Sequence, residues 1–137
     1  MDICERIARE RRGASVVEIK QIAAARVEDA ARLFGLFDKP DTYYEIDATA
    51  ARSLLAWVLE KDMAGGLSLM RRATAERLAN RFLLAFQTEG ARYYTNSNFG
   101  LPAAYVAWCP ATDCTIDSGV LVLTSRHTAC AWFMDDD

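Results

Sequence analysis

Apolar positions recur at helical spacing through the first two-thirds of the chain and lose that spacing after Gly90. In residues 2–12, Ile3 and Ile7 stand four apart among charged neighbours. That pattern predicts a short amphipathic helix closed by Gly13. Ser15-Val-Val-Glu18 then reads as a capping box. Behind it Val16, Ile19, Ala23, Val27, Ala30 and Ala31 continue at helical spacing. They predict one helix, or two abutting near Arg26, running to about Phe37 and stopped before Pro40. Asp47 is placed to cap a third helix with Ala51, Leu54, Leu55, Val58 and Leu59 on its apolar face. Gly65-Gly66 marks a loop. Ser68 or Thr74 then opens a helix carrying Leu78, Phe82, Leu83 and Phe86, closed by Gly90.

Beyond Gly90 turn residues recur between short β-rich runs. Four strands are expected, at residues 91–95, 103–108, 119–123 and 128–134, and Tyr43–Ile46 is either a strand or an extended entry. Pairing the last two as a hairpin puts Cys130 and Trp132 on one face and Ala131 and Phe133 on the other. Helices first and strands after predict an α+β fold. It is read as a single domain, with a helical part over about 1–88 packed on an antiparallel sheet over about 91–134.

The length of 137 residues suits one domain, and 52% apolar with 26% charged residues suits a folded one. The longest apolar runs are too short to span a bilayer, and the charged N-terminus lacks a signal-peptide pattern. The four cysteines are too few and too scattered for a secreted disulfide framework. Together these predict a cytoplasmic protein without membrane contact. Charge is uneven. Residues 1–86 are net +1 and residues 87–137 are net −4, which together give the −3 of the chain. An acidic chain of this kind is a poor nucleic-acid binder. Its acidic third is either a solubilising tail or a face for a basic partner.

No motif specifies a reaction. Cys109, Cys114, His127 and Cys130 form C-x4-C-x12-H-x2-C, on paper a zinc set. Three residues apart on one strand, however, His127 and Cys130 project to opposite faces. Buried free cysteines are therefore expected, with no metal and no cofactor. His127 is the sole histidine, so an enzyme built on a Cys–His pair has to use it, with Cys109 or Cys114. Arg71, Arg72, Arg77 and Arg81 give one helix some positive character, offset by Glu76. Seven of the fourteen aromatic residues fall in the acidic third: Tyr93, Tyr94, Phe99, Tyr105, Trp108, Trp132 and Phe133. Strand cores favour aromatics, and so do protein interfaces.

Within this third, ARYYTNSNFG and WCPATDCTIDSGVLVLTSRHTACAWFMDDD carry three elements: Thr95-Asn96, Ile116-Asp-Ser-Gly-Val120 and Trp132-Phe-Met-Asp-Asp-Asp137. In these, residues 90–137 resemble immunity proteins of bacterial polymorphic or contact-dependent inhibition toxin systems. The resemblance implies a non-enzymatic cytoplasmic protein that covers the active or substrate-binding face of a cognate toxin domain, of basic, nuclease type. Partner contacts are then expected from the charges of Asp117, Asp135, Asp136 and Asp137 and from the rings of Tyr93, Tyr94 and Trp132. An adaptor or chaperone-like module, or an enzyme around His127, are the alternative classes.

Overall fold

A computed structural model describes residues 1–136. In chain order the elements are α1 (Ile3–Glu10), β1 (Ala14–Lys20), α2 (Val27–Leu33), a 3-10 turn (Pro40–Thr42), β2 (Tyr44–Ile46), α3 (Ala48–Glu60), α4 (Arg72–Leu84), β3 (Arg92–Thr95), β4 (Ile116–Leu123) and β5 (Thr128–Asp135). The fold is α+β. Its five strands form one antiparallel sheet in the order β1-β5-β4-β3-β2. None of the helices described is long and apolar enough to cross a membrane.

The residues after Gly13 depart from the expected helix. Ser15–Glu18 lie inside β1, which pairs antiparallel with β5 from Ala14↔Met134 to Lys20↔Thr128. Val16, Val17 and Ile19 are β-branched and sit well on a pleated surface, and β5 offers them a full-length partner. A remote partner strand outweighed a local capping signal. The helix survives only as α2, beginning at Val27 after Arg26. Tyr44–Ile46 does join the sheet, pairing with β3. The expected strand at residues 103–108 is absent. That stretch is a loop, whose one β-bridge among the described residues joins Ser97 and Trp108. Ser68 and Thr74 do not open α4, whose N-cap is Arg71.

The sheet buries both faces, so the core is double. On one face Val120, Val122, Ala129, Ala131 and Phe133 pack against Ile7 of α1, Leu54, Leu55 and Val58 of α3 and Leu78 and Phe82 of α4. On the other face Leu121, Leu123, Cys130 and Trp132 pack against Ala30, Ala31 and Phe34 of the α2 region and against Tyr43. The hairpin alternation read from the sequence therefore holds: Cys130 and Trp132 face one layer, Ala131 and Phe133 the other. β4 and β5 are buried on both sides, which explains their nearly unbroken apolar runs. Between them no side chain fits at Gly119, where a Cβ would lie 2.0 Å from the carbonyl oxygen of Ala131.

The caps of α1 and α3 are local. Asp2 accepts from the Glu5 amide and Asp47 from the Ala50 amide, each at 2.8 Å. Asp47→Ala is expected to cost about 1 kcal/mol, read as a lower urea midpoint with an unchanged slope.

The C-terminal ends of α1, α3 and β5 meet at Arg11, which is 1% exposed. Each of its five N–H groups has an acceptor. Nε donates to the Val58 carbonyl at 2.9 Å. The two terminal nitrogens donate to the Asp135 carboxylate at 2.8 and 2.7 Å and to the carbonyls of Arg12 and Lys61 at 2.6 and 3.1 Å. The guanidinium also stands 5.3 Å from the centre of the Phe133 ring. Asp135 in turn accepts from the Met63 amide at 2.9 Å.

Candidate protein-binding loop

No charged residue occurs between Arg92 and Asp113, and residues 101–110 (LPAAYVAWCP) are apolar throughout. A stretch of that composition is ordinarily buried. Here it is presented to solvent. Only Leu101 and Trp108 are half-buried. Tyr105 is 77% and Val106 73% exposed.

The loop is nevertheless held firmly. Asn98 acts as a double hook: its Nδ2 donates to the Tyr105 carbonyl at 2.8 Å and its Oδ1 accepts from the Ala107 amide at 2.9 Å. The Asn98 amide donates to the Ala107 carbonyl, and the Leu101 amide donates back to Asn98. Gly100, at φ +70°, turns the chain against α3, where a Cβ would strike Trp57 at 2.5 Å. Next to it Phe99 stacks on the Trp57 ring at 5.2 Å. Ser97 Oγ bonds Ser118 Oγ at 2.7 Å, and the Tyr44 hydroxyl donates to the Ser97 carbonyl. Tyr44 is itself 45% exposed, so its ring adds apolar surface at the base of the loop.

Beneath the loop lies Asp117, with no exposed surface. Its Oδ1 accepts from Asn96 Nδ2 at 3.0 Å, from the Ala111 amide at 3.1 Å and from Trp132 Nε1 at 2.9 Å. Its Oδ2 accepts from the Thr112 amide at 3.1 Å and the Thr112 hydroxyl at 2.9 Å. One carboxylate thus ties the end of β3, the return of the loop and the middle of β5 together. Asn96 Nδ2 also donates to the Cys109 carbonyl at 2.8 Å. A flipped Asn96 amide would set its oxygen against these acceptors, so the orientation is fixed.

These placements correct the expected contact residues. Asp117 is a buried anchor and cannot present its charge to a partner. Asp135 is 8% exposed and engaged by Arg11, and Trp132 is fully buried with its one donor on Asp117. Tyr93 and Tyr94 are 8% and 9% exposed and pack into the two core layers. Of the expected set, Asp136 is exposed, accepting from the Thr115 amide at 3.0 Å. Asp137 lies outside the described residues. Sequence reasoning noted Tyr105 only as one aromatic among seven and passed over Val106. The signal that marks both is the length of the uncharged stretch.

The other candidates stay apart. Cys130 is buried beneath α2, whereas the His127 ring lies beside Phe86 on the opposite face, 6.3 Å between centres. Cys109 is exposed and Cys114 half-buried. Among the described residues no three His, Cys, Asp or Glu side chains are grouped to hold a metal. His127 Nδ1 bonds Glu89 at 2.9 Å, and the same carboxylate oxygen accepts from the Thr124 hydroxyl at 2.7 Å. These two bonds hold the Glu89 carboxyl below its ordinary range. The trio fastens the β4–β5 hairpin to the segment following α4. In the arginine-bearing helix, Arg72 is paired with Glu60 at 3.0 Å and reaches Glu76 at 3.9 Å.

Comparison of this chain with family models, with curated proteins and with solved structures finds no match.

Proposed function

We propose that this protein acts by binding, not by chemistry. In the cytoplasm it neutralises a toxin-type partner domain by seating the loop at residues 101–110 on the partner's active or substrate-binding face. The observation that carries this reading is the exposure of Tyr105 and Val106 on a loop already fixed by Asn98 and Asp117. Apolar surface shown to water on a rigid support costs little ordering entropy when a partner covers it. Tyrosine at such a tip gives a large contact with a polar handle. The resemblance of residues 90–137 to immunity proteins supports the same reading. Exposed Asp113 and Asp136 supply negative charge near the loop's return, which suits a basic, nuclease-type partner.

Co-expression with the product of the neighbouring gene is expected to give a one-to-one complex of nanomolar affinity. In that complex Tyr105→Ala with Val106→Ala is expected to raise Kd by at least about tenfold, a loss of about 1.4 kcal/mol or more. The melting temperature should stay unchanged, because both side chains stand in solvent. A Kd that ignores both substitutions would remove the loop from the interface.

A further inference from the structure

One side of β1 is left without backbone partners. β5 bonds its inner side along all seven residues. On its outer side, no backbone group of Ala14–Lys20 bonds to any other backbone group among the described residues. No residue of this strand is buried: Ser15, Val16 and Val17 are half-buried, and Glu18 and Ile19 are exposed. Open edges of this length are ordinarily blunted by charges, bulges or a covering element. Here the charges are on one face only. Glu18 and Lys20 pair with each other at 3.1 Å on the α2 side, where the Lys20 ammonium lies 5.8 Å from the Phe34 ring centre. Ser15, Val17 and Ile19 alternate to the other face, in register with Phe133, Ala131 and Ala129.

Along that second face α1 and β1 frame a groove of about 480 Å³. Its floor is Ile3, Cys4, Ala8, Val17 and Ile19, and Asp2 and Glu5 rim it, while the Glu18 carboxylate stands across the strand on the α2 side. Burial, with Asp2, Glu18 and Glu5 adding in that order, pushes the Cys4 thiol up to about 11. Asp2 and Glu5 on one side of the strand and Glu18 on the other make this edge acidic as well as apolar.

We propose that this edge accepts an extended basic segment of a partner protein as a sixth strand, with apolar side chains in the groove and a Lys or Arg opposite Glu18. The two-residue period of a strand requires this alternation: positions facing Val17 and Ile19 meet apolar floor, and the position between them meets a carboxylate. A second copy of this chain fits poorly. In a two-fold pair the same patch faces itself, so the acidic rim of one copy would approach the acidic rim of the other. The edge is separate from the loop at residues 101–110, and the inference stands whether or not that loop holds a toxin.

The test uses the full chain and a fluorescein-labelled octapeptide of alternating valine and lysine. Fluorescence anisotropy should show saturable binding, and hydrogen exchange should show new protection at the amides of residues 14–20. The substitutions Glu5→Lys with Glu18→Lys, both at exposed positions, should weaken binding by about tenfold or more. An octapeptide of alternating valine and glutamate should not bind. Three results would each overturn the proposal. The first is equal binding of a peptide with four valines followed by four lysines, which cannot alternate. The second is protection elsewhere than β1. The third is a concentration-dependent dimer abolished by Val17→Lys, which would assign the edge to a second copy.

Discussion

Asp135→Ala is expected to lower the unfolding free energy by about 3–5 kcal/mol, because it strands the Arg11 guanidinium inside the protein. At this chain length that corresponds to a fall in Tm of about 10–20 °C. The effect arises from what is left behind. Arg11 keeps its three carbonyl acceptors but loses both carboxylate oxygens, and water cannot replace them at 1% exposure. The Met63 amide loses its acceptor at the same time. Arg11→Met with Asp135→Ala should be far less destabilised than the sum of the two single changes, since the second removes a partner that no longer exists. Additive losses would show that the two side chains are not coupled, and a Tm for Asp135→Ala indistinguishable from that of the parent would show that the pair contributes nothing to the folded state.

The second large effect is expected at Asp117. Asp117→Ala removes the acceptor for Trp132 Nε1, the Asn96 amide and the Ala111 and Thr112 amides. Thr112 can turn to solvent. Asn96 Nδ2 keeps the backbone carbonyls of Cys109 and residue 117. Trp132 Nε1 and the Ala111 amide stay buried without an acceptor, and at about 1–3 kcal/mol for each unsatisfied group the loss is on the order of 2–6 kcal/mol. A global unfolding variant would say little, so the informative measurement is local. In native conditions the Ala111 and Thr112 amides should exchange faster in the variant, while Leu121 and Val122, in the middle of the sheet, keep their protection. If the proposed partner docks on the loop, it should also bind the variant more weakly, although Asp117 never reaches the surface, because the loop would have to be ordered on binding. Unchanged exchange at Ala111 would mean that the loop is held by Asn96 and Asn98 alone.

Much of the architecture is legible in the residues. The helices around Leu54–Leu59 and Leu78–Phe82 follow from spacing alone, and β4 and β5 follow from runs of β-branched and aromatic residues. These are local signals, and local geometry decides those elements. The misreadings share a non-local cause. Residues 15–18 satisfy a helix-start pattern, and only β5, more than a hundred residues on, makes them a strand. Residues 103–108 have strand composition but no strand opposite them. Asp117 and Asp135 looked like surface charges because aspartate usually is one. Their burial depends on Asn96, Ala111 and Trp132 in one case and on Arg11 in the other, all but Ala111 distant in sequence. The candidate loop was legible in part: twenty residues without a charge are visible in the chain, but their exposure is not.

The place of β5 in the sheet sets an order of assembly during synthesis. β5 lies between β1 and β4, so the first strand made and the last strand made are neighbours. A nascent chain that has emerged only to Thr124 can build the α3–α4 pair and the β2-β3-β4 half. It has nothing to lay beside β1, and the Arg11 side chain has no carboxylate to meet. Until residue 135 is free, α1 can dock only through Ile7 on α3 and α4, and β1 carries Val16 and Val17 with no strand beside it. The sheet closes in one late step, when β5 pairs with β1 and β4 together, and until then β1 is a strand with no partner on either side.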